Sequence, residues 1–239
     1  MTISILGGIR MKPIKLFALT LLSTILLSGC TIFGVDIPGT DSDSSATLDR
    51  YGKTEIREYQ GVRLDPSVGP RDNSIKGVQD VDIATYSLKV SGLVDREIAL
   101  TYDEVLALPS SEKLIILYCV EGWEATVLWK GSQIKDIIDL AGASNQANTV
   151  IFHCVDGYTT SMPLATILDK EMLLAYSSNG IELPPSLGYP FIVVAEDKLG
   201  YKWARWVSEI ELSGNPYYQG YWEKNGLDNT ADVPPSRVK

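Results

Sequence analysis

Leu114-Ile115-Ile116-Leu117-Tyr118-Cys119-Val120-Glu121-Gly122-Trp123 is the stretch on which the reading of this chain turns. A run of apolar residues closed by Tyr118 fits a strand covered by a core. Glu121-Gly122 then breaks the run and marks a loop. Cys119 stands where the strand gives way, so the core can hold its backbone while its thiol faces a cleft. A thiolate is both a nucleophile and a soft metal ligand. The same placement fits an inert core thiol or half of a disulfide, and the local sequence leaves these alternatives open.

The flanking pattern supplies the rest of a domain. Tyr86-Ser87-Leu88-Lys89-Val90 alternates apolar and polar residues, as a half-buried strand does. Thr101-Tyr102-Asp103-Glu104 has the form of a capping box and predicts a short helix stopped by Pro109. Lys113 to Tyr118 is predicted as a buried strand. Ser132 is the expected cap of a second helix, with Ile134, Ile137, Ile138 and Ala141 on one face and Gly142 at its end. Residues 149–154 and 158–162 read as strands about the turn Asp156-Gly157, and Asn179-Gly180 marks a tight turn between 173–176 and 181–183. Residues 191–195 and 207–212 complete the strand set. Helices and strands do not alternate regularly, so the expected class is α+β with mixed β-sheets and short helices. No Gly-rich dinucleotide fingerprint, Walker-type phosphate loop or nucleophile elbow is present.

Before the domain, Met11-Lys12-Pro13-Ile14-Lys15 leads into an uncharged run over residues 16–27, and Leu27-Ser28-Gly29-Cys30 follows. That run is too short to span a bilayer, which takes roughly 20 apolar residues. It resembles a lipoprotein signal over residues 1–29, with Cys30 lipidated. A signal peptide cleaved elsewhere and an uncleaved anchor are the alternatives. Residues 30–50 are small, polar and acidic and read as a flexible tether. The domain is expected over residues 51–227. Residues 228–239, polar and carrying Pro234-Pro235, read as a flexible tail. The expected location is extracytoplasmic, lipid-anchored to a membrane.

Lysine and arginine number 21 against 30 acids, for a net charge of −9, and residues 1–29 hold three of those cations (Arg10, Lys12, Lys15) and no acid. Such a surface disfavours nucleic acid as a partner. With Cys30 lipidated, Cys119 and Cys154 remain, and an extracytoplasmic location permits a bridge between them. His153 is the one histidine, which excludes the usual multi-histidine zinc sites. It lies mid-strand, where a structural role is expected. No haem-attachment or iron–sulfur motif is present.

Taken in order, these pieces resemble the sulfite-oxidase-type molybdopterin-binding domain family, which includes the catalytic subunit of periplasmic methionine-sulfoxide reductase. The pieces run from Arg71-Asp72-Asn73-Ser74-Ile75-Lys76-Gly77 through Leu88-Lys89-Val90-Ser91-Gly92 and Cys119-Val120-Glu121-Gly122-Trp123. They continue with Trp129-Lys130-Gly131 and Asp156-Gly157-Tyr158. Gly188-Tyr189-Pro190, Gly200-Tyr201-Lys202 and Gly220-Tyr221-Trp222-Glu223 close the series. The resemblance implies Mo-molybdopterin as cofactor, with one Mo and one pterin, and Cys119 as metal ligand and catalytic residue. It carries Asn73, Cys154, Lys202, Trp203 and Arg205 over as cofactor-binding positions, with Lys202 and Arg205 as partners for the pterin phosphate. On residue chemistry alone, Trp203, Trp206 and Trp222 read as packing residues. Asp156 and Tyr158 are candidates for the substrate side.

The chain also departs from the family pattern. Leu187 stands where relatives carry His or Asn, Ile192 where they carry Arg, and Leu227 where a tyrosine is common. No twin-arginine pair precedes the apolar run. Two functions are therefore weighed. One is an extracytoplasmic oxidoreductase that transfers oxygen to or from a small sulfur substrate, with a haem protein or quinone system as electron-transfer partner. The other is a non-enzymatic lipoprotein binding module on the same fold that has lost its cofactor.

Overall fold

The described residues of this computed structural model are 54–67 and 73–238. Among them the strands are β1 (Glu58–Tyr59), β2 (Val62–Arg63), β3 (Leu88–Gly92), β4 (Ile98–Leu100), β5 (Ser110–Tyr118) and β6 (Glu124–Gln133). Then come β7 (Thr149–Cys154), β8 (Thr159–Pro163), β9 (Leu173–Ser178), β10 (Ile181–Glu182), β11 (Ile192–Val194) and β12 (Val207–Ser213). The helices are α1 (Tyr102–Leu106), α2 (Ile134–Ala141), α3 (Leu164–Asp169) and α4 (Tyr221–Lys224).

Two five-stranded sheets carry the domain. One is antiparallel, in the order β10-β9-β6-β5, with β11 also paired to β9. The other runs β4-β3-β12-β7-β8 and is mixed, because β3 and β12 are parallel while its remaining pairs are antiparallel. Leu88, Val90, Phe152, Ile210 and Leu212 from the mixed sheet share one core with Val127, Trp129, Leu173, Leu174 and Val193 from the other. The expected class, α+β with mixed sheets and short helices, is what forms.

Local chemistry explains the main boundaries. The Thr101 hydroxyl accepts from the Glu104 N–H, and the Glu104 carboxylate accepts from the Thr101 N–H at 2.8 Å, so the capping box closes around the start of α1. Helix α2 buries Ile134, Ile137, Ile138 and Ala141, and Gly142 ends it at φ +73°. Its expected cap is corrected: Ser132 belongs to β6, and its hydroxyl donates to the Val105 carbonyl at 3.2 Å. Strand pairing claimed that residue, and Gln133 caps the helix without a side-chain bond. At Gly131, beside the bulge in the β6–β9 register, a Cβ would lie 2.2 Å from the Leu174 carbonyl oxygen, so only glycine lets these strands meet.

Two further expectations are corrected. The run before Cys119 is half-buried rather than buried, because β5 is the outer strand beyond β6. Residues 231–233, within the expected flexible tail, are anchored rather than loose. Ala231 and Val233 are buried, Leu199 N–H donates to Ala231 O at 2.8 Å, and Val233 N–H donates to Asp197 O at 3.0 Å. Two small apolar side chains set among polar ones gave composition no reason to show this. The signal, Cys30 and the tether lie outside the described residues.

Candidate active site

Cys119 opens the loop of the β5–β6 hairpin. Tyr118 pairs with Glu124 in that ladder, which leaves residues 119–123 to turn the chain. Cys119 N–H donates to Trp123 O at 2.9 Å, and Gly122 N–H donates to Cys119 O at 3.1 Å. Gly122 sits at φ +96°, where a side chain would be strained. The ladder and these two bonds fix the Cys119 backbone. The residue is only 5% exposed, yet it lines a cavity of about 560 Å³.

Burial pushes the Cys119 thiol above its usual pKa, and the Glu121 carboxylate adds to that. The backbone N–H groups of Glu121 and Val120 and the Arg237 guanidinium act the other way. With no cation at the sulfur, the protonated thiol is favoured. A bound metal cation supplies the charge that holds such a group as thiolate.

The cavity walls are aromatic. All five tryptophans of the chain, Trp123, Trp129, Trp203, Trp206 and Trp222, line it. Leu117, Val127 and Ile192 come from β5, β6 and β11 of the antiparallel sheet, and Leu187 from the turn before β11. Arg205 is the one Lys or Arg side chain among the described lining residues. Its guanidinium lies 4.6 Å from the Trp206 ring centroid and donates to Ser186 O at 2.9 Å. Trp206 holds φ at +53°, and its indole N–H donates to Pro185 O at 2.7 Å. A non-glycine residue in that region is held there by its surroundings.

The structure brings Asn73, Cys119, Trp203, Arg205, Asp156 and Tyr158 to this one cavity. Asp156 is buried, and its carboxylate accepts from Tyr158 N–H at 2.9 Å. The Tyr158 hydroxyl donates to the Tyr201 carbonyl. Burial pushes the Tyr158 phenol far up, with Glu223 and Cys154 adding to it, so it stays a neutral donor. Trp203 and Trp206 also pack closely, so the expectation of packing residues and their place on the wall describe the same side chains.

Lys202 and Cys154 are not brought to the cavity. Lys202 is fully buried, with its ammonium 2.5 Å from Glu223 Oε1, 2.9 Å from Ser161 O and 3.3 Å from Asn229 Oδ1. The resemblance implies a phosphate partner at this position; here the ammonium is satisfied by those three acceptors. Burial pushes the ammonium down, and Glu223 opposes that. Cys154 faces the core at the end of β7. Burial raises its pKa well above the usual value, Asp156 adds to this, and Arg205 counters it. Both Cys119 and Cys154 are free thiols, so no bridge joins them. His153 pairs with Glu211 at 2.7 Å, in keeping with a structural role.

Trp123, Trp129 and Arg237 were missed by sequence reasoning. Arg237 donates to the carbonyls of Cys119 and Trp123, at 2.8 and 3.1 Å. Nothing local in Pro234-Pro235-Ser236-Arg237 signals such a contact. For the tryptophans the signal was their number in one domain, which aromatic packing alone did not single out.

The donor set fits the metal–pterin group that the resemblance implies. Among the described residues no group of three or more His, Cys, Asp or Glu is placed to hold a metal ion. A metal at Cys119 must therefore bring its other ligands with it, as a dithiolene pterin does. The thiol suits the metal end, and Arg205 offers one guanidinium to a phosphate. Leu187 and Ile192 leave the rest of that wall apolar.

Comparison with known proteins agrees. Residues 75–222 match the model of the oxidoreductase molybdopterin-binding domain. YedZ1 of Azospira oryzae, named as a protein-methionine-sulfoxide reductase subunit, is 39% identical over 151 residues, covering 63% of this chain and 57% of its own. The oxidoreductase YuiH of Bacillus subtilis is 35% identical over 152 residues, covering 63% of this chain and 76% of its own. This chain thus spans little more than half the length of the first of these relatives. The crystal structure of the sulfane dehydrogenase SoxCD from Paracoccus pantotrophus shares the fold, with a TM-score of 0.56 at 19% identity over 58% of this chain and 41% of that one. The family match, the thiol at the cavity and the two packed sheets lead to one assignment: the chain belongs to the oxidoreductase molybdopterin-binding domain family, enzymes whose cofactor is Mo-molybdopterin.

Proposed function

We propose that this chain is an extracytoplasmic, lipid-anchored oxidoreductase that moves an oxygen atom to or from a small, uncharged sulfur compound. A sulfoxide suits it better than sulfite. One observation carries the reading: the cavity at Cys119 is walled by tryptophan and aliphatic side chains, with Arg205 as its one lining Lys or Arg among the described residues and Glu121 and Asp156 as its acids. A dianion such as sulfite would meet two carboxylates and a guanidinium that a phosphate would compete for. An uncharged sulfoxide meets apolar rings that complement its alkyl groups. The name of the Azospira relative points the same way.

When bound, the cofactor supplies two-electron oxygen-atom transfer. The chain's residues do the rest. Cys119 would give a soft thiolate to the metal, from a backbone fixed by the hairpin loop. Arg205, held against Trp206 and Ser186, would take the cofactor's phosphate. Asn73 and Trp203, both on the cavity wall, would contact the pterin. Tyr158, a neutral phenol, and Asp156 line the substrate side, and the tryptophan wall restricts water. Electrons pass to or from a separate haem protein or quinone system, because the chain carries no haem or iron–sulfur motif.

The reading of a cofactor-free binding module keeps one supporting observation, the apolar Leu187 and Ile192 on the cavity wall. Metal and pterin analysis of the protein from its own host separates the two. One Mo and one pterin per chain are expected, with turnover of an alkyl sulfoxide by an artificial one-electron donor at least about tenfold above sulfite oxidation, a difference of about 1.4 kcal/mol in the barrier. Absence of molybdenum would establish the binding module, and faster sulfite turnover would overturn the substrate class.

A further inference from the structure

Residues 228–237 lie beyond the family match, which ends at residue 222, yet they reach the active-site loop. Hydrogen bonds from Leu199 to Ala231 and from Val233 to Asp197, together with the Lys198–Asp232 ion pair at 2.5 Å, pin this segment along residues 197–199. Leu199 is bridged in turn to Tyr118, the residue before Cys119. Pro234-Pro235 restricts the chain beyond that anchor. Arg237 N–H then donates to Pro234 O at 2.8 Å and closes a turn.

From there the guanidinium points back at the loop. Nη1 donates to Cys119 O at 2.8 Å and Nη2 to Trp123 O at 3.1 Å. Its carbon lies 5.4 Å from the Tyr118 ring centroid. The two carbonyls are the same ones that accept the loop's own bonds from Gly122 and Cys119. A carbonyl oxygen has two lone pairs, so the guanidinium takes the second site on each. A planar fork bonds both at once, whereas an ammonium has no such fixed geometry. One rigid group therefore sets the span between the first and last residues of the loop that carries the sulfur.

We propose that Arg237 is a positioning residue for the Cys119 sulfur, delivered by a strap formed from residues 231–237. Its effect on turnover rests on the reading of Cys119 as the metal thiolate; its hold on the loop does not. The test uses the full chain with Arg237→Gln and Arg237→Lys, the second keeping the charge while losing the fork. Hydrogen exchange over residues 119–123 is expected to quicken about tenfold or more in both, with the β5–β6 ladder unchanged, since local opening is governed by local bonds. In the molybdenum-loaded protein the Mo(V) paramagnetic signal is expected to shift, with kcat falling about tenfold at an unchanged KM, as displaced reacting groups do.

Unchanged exchange in both variants would overturn the strap. Faster exchange with a Mo(V) signal identical to the wild type would show a loop held without positioning the sulfur, and the proposal would fall. Should the wild type hold no molybdenum while exchange quickens in both variants, the metal reading of Cys119 fails and the strap's hold on the sulfur-bearing loop stands.

Discussion

A serine in place of Cys119 leaves the bonds of its loop in place, because both use backbone groups. Only the soft donor is lost. Cys119→Ser is therefore expected to abolish oxygen transfer, at least a thousandfold, while the unfolding temperature moves by only a few degrees, as for a near-isosteric change. A serine variant with full activity would remove the metal role. Arg205 tests the other end of the cofactor. Arg205→Ala removes the one lining Lys or Arg side chain among the described residues together with its stacking on Trp206. Molybdenum and pterin per chain are expected to fall severalfold, by more than stability changes, because a phosphate loses a charged hydrogen-bond donor worth about 1.5–3 kcal/mol. Undiminished cofactor content would reject that assignment. Cys119 was legible in the sequence because it ends an apolar run; Arg237 was not, because its role depends on where a distant segment lands.

Among the elements, the buried pair between Lys202 and α4 joins the segment 200–206 to the cover over β8. Glu223 is buried, with Oε1 bound to Lys202 and to the Thr160 hydroxyl at 2.7 Å. Glu223→Gln leaves the ammonium buried without its counter-charge and is expected to cost about 3–5 kcal/mol in urea unfolding. The double change Lys202→Met with Glu223→Leu is expected to restore most of that loss; no recovery would mean that packing, not charge, sets the cost. The mixed sheet has an acid-sensitive contact of its own. Glu209 on β12 accepts from the Ser91 hydroxyl on β3 at 2.5 Å and pairs with Lys89 at 3.3 Å. Burial alone would raise Glu209, but the Ser91 hydroxyl, Lys89 and His153 together bring it below its ordinary 4.5. A depressed carboxylate stabilises the fold above its unfolded value, and that share is lost as pH falls through the folded one. The advantage of the wild type over Glu209→Gln in unfolding temperature should hold at pH 6 and shrink as pH falls below 4.5. A constant gap would refute the linkage. The capping box and Gly142 could be read in advance because each acts within a few residues, whereas Ser132 was misread because sheet pairing overrode a local preference.

For the whole molecule, the last segment matters more than its composition suggests. Removing residues 228–239 exposes the surface under Ala231 and Val233 and breaks the Lys198–Asp232 pair. Burial of a valine is worth about 1.5–3 kcal/mol, and each kcal/mol moves the unfolding temperature of a domain this size by about 2–4 °C. A loss of roughly 5–10 °C is therefore expected from a truncated chain, measured by calorimetry on the cofactor-loaded protein. A shift under 2 °C would mean the strap adds nothing to stability, and this outcome is separate from the spectroscopic test of Arg237.

Sequence by itself determined the class of fold, most of the strands, the turn at Cys119 and the family, because hydrophobic period, caps and turn glycines act over short distances; β6, the inner strand between β5 and β9, went unread because its residues do not alternate. Tertiary structure alone decided that five scattered tryptophans share one cavity wall, that Lys202 is buried against Glu223 away from that wall, and that Arg237 returns to the loop at Cys119. Each joins residues far apart in the chain through burial and hydrogen bonding, and only the packing of the two sheets and the course of the last segment fix which distant groups meet.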